Sequence, residues 1–166
     1  VLNTALFYVQ QKEWAEDISQ DVFIEIYRSI SSFNEGATLK TWIYRITVNK
    51  CLDALRTKKR QKRYGFILSI FNQNEATAFP KEVHFEHPGI IAEKREFSIY
   101  LFKALEKLAD KQKSAFILTQ MEGLSQKEAA SIMLISEKAV ESLTQRAKIN
   151  LRKRLEKIYP ERRKKS

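Results

Sequence analysis

The sequence predicts an all-α protein built as two small helical domains joined by a flexible linker, and three observations predict it. Only 4 Gly and 3 Pro are scattered through 166 residues, whereas sandwiches and barrels need many tight turns. Apolar side chains recur at intervals of three and four along most of the chain, the period of a helix with one buried face. That period lapses once and then resumes, dividing the chain into residues 1–64, a linker at 65–95 and residues 96–166. With 43% hydrophobic residues, including 10 Phe, 6 Tyr and 2 Trp, the chain can build real cores and is not a disordered basic tail.

The opening VLNTALFYVQ lacks both Met and the basic region of a secretion signal. It reads as the interior of a helical pattern, so an N-terminal piece is expected to be missing. From there Ala15, Ile18, Val22, Ile26, Ile30 and Phe33 step by three and four as a buried stripe, and the opposite face carries Glu16, Asp17, Gln20, Asp21 and Glu25. Asn34, Glu35 and Gly36 break the pattern, and Thr38 is a good N-cap for a second helix. That helix turns Leu39, Trp42, Ile43, Ile46 and Leu52 inward and runs into TKKRQKR at 57–63. Within the aperiodic 65–95 segment, FILSIF at 66–71 admits two readings, one more turn of helix packed on the first domain or a segment that binds inside a partner.

The second block starts near Glu93. Phe97, Tyr100, Leu101, Ala104, Leu105 and Leu108 make one stripe, Ala115, Leu118 and Met121 another, and Gly123 closes the latter as a C′ residue. Ser125 followed by Glu128 is a capping box that starts a short helix with Ala129, Ile132 and Met133 inward. After Leu134-Ile135, Ser136 caps a longer helix that buries Val140, Leu143, Ala147 and Leu151. A short helix, a tight turn and a second helix with polar first turns is helix-turn-helix grammar, in which the second helix enters a major groove. The Gly expected in such a turn is Leu134, and a left-handed non-Gly residue costs about 1 kcal/mol, so the turn is expected to be distorted or repacked. Arg146, Lys148, Arg152, Lys153 and Arg154 suit phosphate contacts. An ordinary helical hairpin with a solvated face is the bland alternative.

The net charge of +10 is segregated. Residues 1–37 carry 2 basic and 6 acidic side chains, 38–64 carry 9 and 1, and 151–166 carry 8 and 2. A surface charged only for solubility interleaves signs, so at least two different partners are implied, one of them a polyanion. Cations interleaved with Trp42 and Tyr44 suit single-stranded or melting DNA. Trp42 equally fits core packing, and Asn49, Asp53 and Arg56 equally fit an intrahelical ladder. No apolar run approaches the roughly 20 residues that cross a bilayer, so no membrane insertion is expected, and the single Cys51 excludes an intramolecular disulfide and fits a reducing cytoplasm. No cofactor is called for. His84 and His87 lack further ligands, so no metal site is expected, and one acid among the cations of 38–64 does not make a metal-dependent nuclease.

AEDISQDVFIEIYRSISSF, TLKTWIYRITVNKCLDALRTKKR, LFKALEKLADKQKSAFILTQMEGLSQKEAASIMLIS and EKAVESLTQRAKINLRKRL, in that order, resemble the extracytoplasmic-function (ECF) sigma factors of bacterial RNA polymerase, within the sigma-70 superfamily. The similarity covers roughly residues 7–61 and 97–155. It implies a non-enzymatic specificity subunit that binds core polymerase, recognises promoters and helps open them, with residues 1–64 as region 2 and 96–166 as region 4. It places Glu16, Asp17, Gln20 and Asp21 against the β′ clamp helices. It gives Asn34, Lys40, Trp42, Arg45, Asn49, Arg56 and Lys59 to the −10 element, with a flipped base held by the 34–38 loop at an unstacking cost of a few kcal/mol. It gives Glu137, Lys138, Glu141, Ser142, Gln145, Arg146 and Lys148 to the −35 element. The β flap and an anti-sigma factor are further implied partners; the competing reading is a stand-alone helix-turn-helix regulator.

The sequence departs from the family's habit at Leu108-Ala109, where Leu-Pro is frequent, at Gln112-Lys113, where Gln-Arg is frequent, and at Glu141, a place often basic. An acid there favours a cytosine N4 donor. Two DNA elements about two turns apart are separated by about 70 Å. A 65–95 linker reaches up to ~100 Å extended but only ~30 Å as a flexible coil, so a platform must hold the two domains apart on DNA.

Overall fold

A computed structural model describes residues 1–33, 36–71 and 92–158, with side chains described outside 65–71, 92–97 and 158. Every regular element among them is helical: α1 (Leu2–Val9), α2 (Lys12–Ser29), a 3-10 turn (Ile30–Ser32), α3 (Leu39–Phe71), α4 (Ala92–Glu106), α5 (Asp110–Phe116), a π turn (Ile117–Met121), α6 (Gln126–Met133) and α7 (Glu137–Ile158).

Local chemistry sets the boundaries. α1 stops at Gln10, which turns left-handed (φ 61°) and donates its N–H to the Leu6 carbonyl. Thr38 begins α3 by accepting the Thr41 N–H on Oγ1 at 3.2 Å and the Trp42 N–H on its carbonyl at 3.0 Å. Gly123, at φ +69°, ends the α5 segment, and the Leu124 N–H closes back onto Leu118. The Ser125–Glu128 capping box is complete, with Glu128 N–H donating to Ser125 Oγ at 3.2 Å and Ser125 N–H donating to Glu128 at 2.9 Å. These hydrogen bonds hold the Glu128 carboxyl at about 2, well below the usual carboxylate range, and Lys40 adds to them.

The expected stripes are largely buried, with corrections. Ala15, Ile18 and Val22 are in the core, but the stripe of α2 frays toward its end: Ile26 and Phe33 are half-buried and Ile30 is exposed. On α3 the inward face is Thr41, Thr47, Val48 and Cys51 rather than Leu39 and Trp42; Leu39 is exposed and Trp42 half-buried. Burial raises the Cys51 thiol to about 12. Met121, Met133 and Leu143 are half-buried, and Phe102, Ala130 and Thr144 join the core unannounced. α3 also continues past residue 64 as helix through FILSIF, so that stretch takes the helical of its two readings in backbone, while its side chains lie outside the described set. Twenty residues, 72–91, then separate α3 from α4, a chain length that spans only ~70 Å when extended.

The two helical blocks share one hydrophobic core. Ala5, Tyr8, Val9, Val48 and Cys51 of the first pack with Ala115, Ile117, Leu118, Ala129 and Ile132 of the second, while Phe7 stacks on Phe102 at 6.4 Å. α1 sits in the joint. Its terminal Tyr8 carbonyl, which no helical N–H reaches, accepts from the buried Lys113 ammonium at 2.8 Å, and Gln10 Nε2 donates to the Phe102 carbonyl at 3.0 Å. A cation is favoured at a helix C-terminus, which is what Lys113 supplies.

Candidate nucleic-acid interface

The helix-turn-helix is built as its caps require. α6 ends at Leu134, left-handed at φ 55° and ψ 45°, with its N–H on the Ala130 carbonyl. The turn therefore keeps the backbone usually given to Gly, and the strain of about 1 kcal/mol is accepted. Ser136 Oγ then accepts the Ala139 N–H at 3.2 Å and starts α7. Val140, Thr144, Ala147 and Leu151 anchor that helix inward. Glu137, Lys138, Glu141, Ser142, Gln145, Arg146 and Lys148 all lie exposed on its other side, so every residue expected to read or bracket duplex DNA is open to it. Two polar side chains further along α7 serve packing: Asn150 bonds Gln112 at 2.9 Å, and Arg154 reaches the Lys107 carbonyl at 3.4 Å, beside the exposed Arg152 and Lys153.

The second surface is the start of α3. Trp42, Arg45, Asn49, Arg56 and Arg60 recur at three, four, seven and four, which places them on one helical face. Trp42 leans on Phe33, ring centroids 5.1 Å apart and 48° tilted, at the edge of a cavity of about 410 Å³ lined by Ser32, Phe33, Gly36, Ala37, Trp42, Arg45 and Leu134. Its concave wall, with two aromatic rings and one guanidinium, is chemically suited to a planar base. Asn49 is exposed. Asn34 lies outside the described residues, as does the His84–His87 pair.

Four of the cations expected at the −10 element are engaged across the joint. Lys40 pairs with Glu128 at 3.0 Å, Arg45 donates to the Ser131 carbonyl at 2.9 Å, and Arg56 and Lys59 each approach Asp110 at 3.5 Å. Arg56 also bonds Asp53 at 3.2 Å, one rung of the intrahelical ladder. Lys58 turns away, lying 4.0 Å over the Trp14 ring, and its pKa is lowered chiefly by that burial. Lys59, Arg60, Lys62 and Arg63 stay exposed.

The third surface is the outer face of α2. Glu16, Asp17, Gln20 and Asp21 are all exposed. Beside them lie Phe23 at 60% exposure, Ile24, and Tyr27 at 84%. The sequence reading missed these three, although an excess of apolar residues over one stripe in VFIEIY was the available signal. An exposed aromatic patch rimmed by acids is the signature of a protein-binding face.

Comparison with known proteins finds two family matches along the chain. The sequence matches the family Sigma-70 region 2 over residues 1–61 and Sigma-70, region 4 over residues 98–151. It is 28% identical over 148 residues to RNA polymerase sigma factor SigZ of Bacillus subtilis, covering 89% of this chain and 76% of that protein. It is 30% identical over 145 residues to ECF RNA polymerase sigma factor SigW of the same organism, covering 85% and 75%. To the ECF RNA polymerase sigma-E factor of Escherichia coli K12 it is 30% identical over 118 residues, covering 70% of this chain and 61% of that one, so the chain spans less than two thirds of the E. coli relative. Two solved structures share the fold. The sigma factor RpoE in complex with the anti-sigma factor NepR from Bartonella quintana gives a TM-score of 0.64 at 24% identity, covering 93% and 89% of the two chains. CnrH in complex with the cytosolic domain of CnrY gives 0.62 at 22%, covering 93% and 79%.

Proposed function

The chain belongs to the ECF RNA polymerase sigma factors of the sigma-70 family, and from that premise we propose how its residues divide the work. It directs core polymerase to specific promoters and assists the opening of the duplex. The observation that carries the reading is the ordered pair of surfaces on one chain: a helix-turn-helix whose second helix exposes its polar face, and a cationic helix face bearing a cavity of about 410 Å³ walled in part by Phe33 and Trp42.

Region 4 reads the −35 element as duplex. Ser142 and Gln145 address base edges, Glu141 prefers a cytosine amino group, and Arg146 and Lys148 hold phosphates that position the helix. Region 2 opens the −10 element. Arg45 and Trp42 receive an unstacked base in the cavity, and Arg56, Lys59 and the exposed cations beyond them neutralise the separating strand, a term that weakens steeply with salt. The acidic and aromatic face of α2, with Asp17, Gln20 and Asp21 joined by Phe23 and Tyr27, docks on the basic β′ clamp helices of core polymerase, and region 4 meets the β flap.

The chain acts without a catalytic residue of its own and works in the cytoplasm, where its polymerase is. No helix among the described residues is long and apolar enough to cross a membrane. An anti-sigma factor is a further partner, supported by the two structures of like fold, each of which holds a second protein of that kind or a cytosolic domain in its place. The test is reconstitution. Core polymerase with this chain should initiate from a promoter selected out of a random library, and core alone should not; selection that returns no enriched promoter would overturn the reading.

A further inference from the structure

FILSIF at 66–71, the far end of α3, has no task among the DNA and polymerase surfaces. α3 is held to the bundle as far as Lys58, over the Trp14 ring at 4.0 Å, and Lys59, 3.5 Å from Asp110. From Lys59 to Tyr64 six consecutive residues are exposed. Six residues make more than a full turn of helix, so no described residue covers any side of that stretch. The backbone nevertheless stays helical to Phe71, about 18 Å beyond Lys59 at a rise of about 1.5 Å per residue. The apolar hexapeptide thus follows a stretch of helix that the bundle leaves bare.

Charge and apolarity follow one another in order along this stretch. Arg56, Lys58, Lys59, Arg60, Lys62 and Arg63 are six cations within 54–74, which holds no acid. Tyr64, 63% exposed, comes next, and then Phe66, Ile67, Leu68, Ile70 and Phe71. By helical spacing Phe66, Ile67, Ile70 and Phe71 share one side, and Gly65 and Ser69 another. Five apolar residues out of six are costly to leave in water, so this helix end requires a cover. A single strand of nucleic acid answers the cations, but bases stack on rings and not on Ile67, Leu68 and Ile70. A protein groove answers the apolar residues but does not call for a cationic run unbroken by an acid. An anionic bilayer answers both: headgroups attract the cations, the boundary favours a tyrosine, and the acyl edge takes the apolar side.

We propose that residues 58–71, the distal part of α3, form a membrane-surface element that binds bilayers carrying anionic lipid, with its cations on the headgroups and its apolar side at the acyl boundary. The helix lies on the surface and does not span it. Six residues cover about 9 Å of helix, against a hydrocarbon core of about 30 Å, and no helix among the described residues is long and apolar enough to cross. Neither signal suffices alone; an apolar patch joined to a polybasic run is the pairing that holds a protein at a bilayer surface. Surface binding of this kind goes beyond promoter recognition and does not rest on it.

Flotation of the full chain with vesicles tests this. The chain should float with vesicles of equal parts phosphatidylglycerol and phosphatidylcholine and stay behind with phosphatidylcholine alone. Lys62→Gln with Arg63→Gln should weaken partition about thirtyfold, at about fivefold for each charge near the surface. Phe66→Ser with Phe71→Ser should weaken it at least about tenfold. In a Phe71→Trp chain, lipids brominated on their acyl chains should quench fluorescence beyond the quenching of wild type, which has Trp14 and Trp42 already. Absence of partition onto the anionic vesicles would overturn the membrane element and leave FILSIF to a protein groove. Partition that the charge variant abolishes and the phenylalanine variant leaves unchanged is the attraction of any basic protein for any anionic surface, and overturns it equally. Should the phenylalanine variant fold poorly, as circular dichroism would reveal, the Phe71→Trp chain decides alone, and an indole left unquenched refutes the proposal.

Discussion

Replacing Lys113 with Met probes a cation buried among the described residues. The residue is 3% exposed, and burial, followed by the opposing influences of Glu106, Lys59, Asp110 and Cys51, brings its pKa down from 10.5 to about 8. At about 1.4 kcal/mol per pH unit, holding the ammonium inside at neutral pH costs about 3 kcal/mol relative to water. Met removes that cost but leaves the Tyr8 carbonyl at the end of α1 without its donor at 2.8 Å, a loss of about 1–3 kcal/mol. The variant should therefore lie within about 2 kcal/mol of wild type at pH 7. The pH dependence separates the two terms. The folded pKa lies below the unfolded one, so the unfolded chain holds more protons between about 8 and 10.5, and the Lys113 contribution to stability rises as pH rises through that window. Tyr44 and Cys51, both raised to about 12 by burial, and Tyr8, raised further, act in the opposite direction in both proteins. The quantity to read is thus the difference between two urea-unfolding series at pH values from about 7.5 to about 10.5, where wild type should gain on Lys113→Met by up to about 3 kcal/mol. Parallel series, offset by a constant, would refute a buried cation at this joint.

Three other outcomes are expected. Asp17→Ala with Gln20→Ala should weaken core polymerase binding several-fold while leaving thermal stability within about 0.5 kcal/mol, since both side chains are exposed; unchanged affinity in a pull-down titration would remove that docking face. Arg146→Ala should lower affinity for −35 duplex and reduce the salt slope by about 1 without altering base preference, and a shifted preference in a selection experiment would contradict its phosphate role. Ala109→Pro should stabilise the fold by about 0.4–1 kcal/mol, because Ala109 already sits at φ −63°, the angle a proline ring imposes. A lowered melting temperature would show that its N–H or the preceding Leu108 backbone is needed as it stands.

That last position shows how far local reasoning reaches. The family's frequent proline is replaced by Ala109, yet the backbone keeps the proline angle. Leu134 likewise keeps the left-handed turn usually given to glycine. Ser125–Glu128, Thr38, Ser136 and Gly123 each close the helix end expected of them, because a cap is decided by residues three or four apart. The exposed polar face of α7 was legible for the same reason: seven polar positions on one side imply apolar ones on the other. The face of α3 was legible as chemistry but not as environment. Lys40, Arg45, Arg56 and Lys59 were expected to meet DNA, and the partners they have in the fold, Glu128, Ser131 and Asp110, lie at least fifty residues away in sequence.

The sequence alone determined the helical class, the two blocks, the segregation of charge and the family, since all of these come from periodicity, short spacings and ordered motifs. Only the tertiary structure decided that the blocks share one core, that Trp42 stands at a cavity rather than inside that core, that Phe23 and Tyr27 face outward, and that Glu122 joins α1 to α3. A periodic stripe specifies that a helix must bury one face. It carries no information about which other helix will cover it, because apolar contact is non-directional and proportional to area, and the choice among covers is made by the shape of the whole chain.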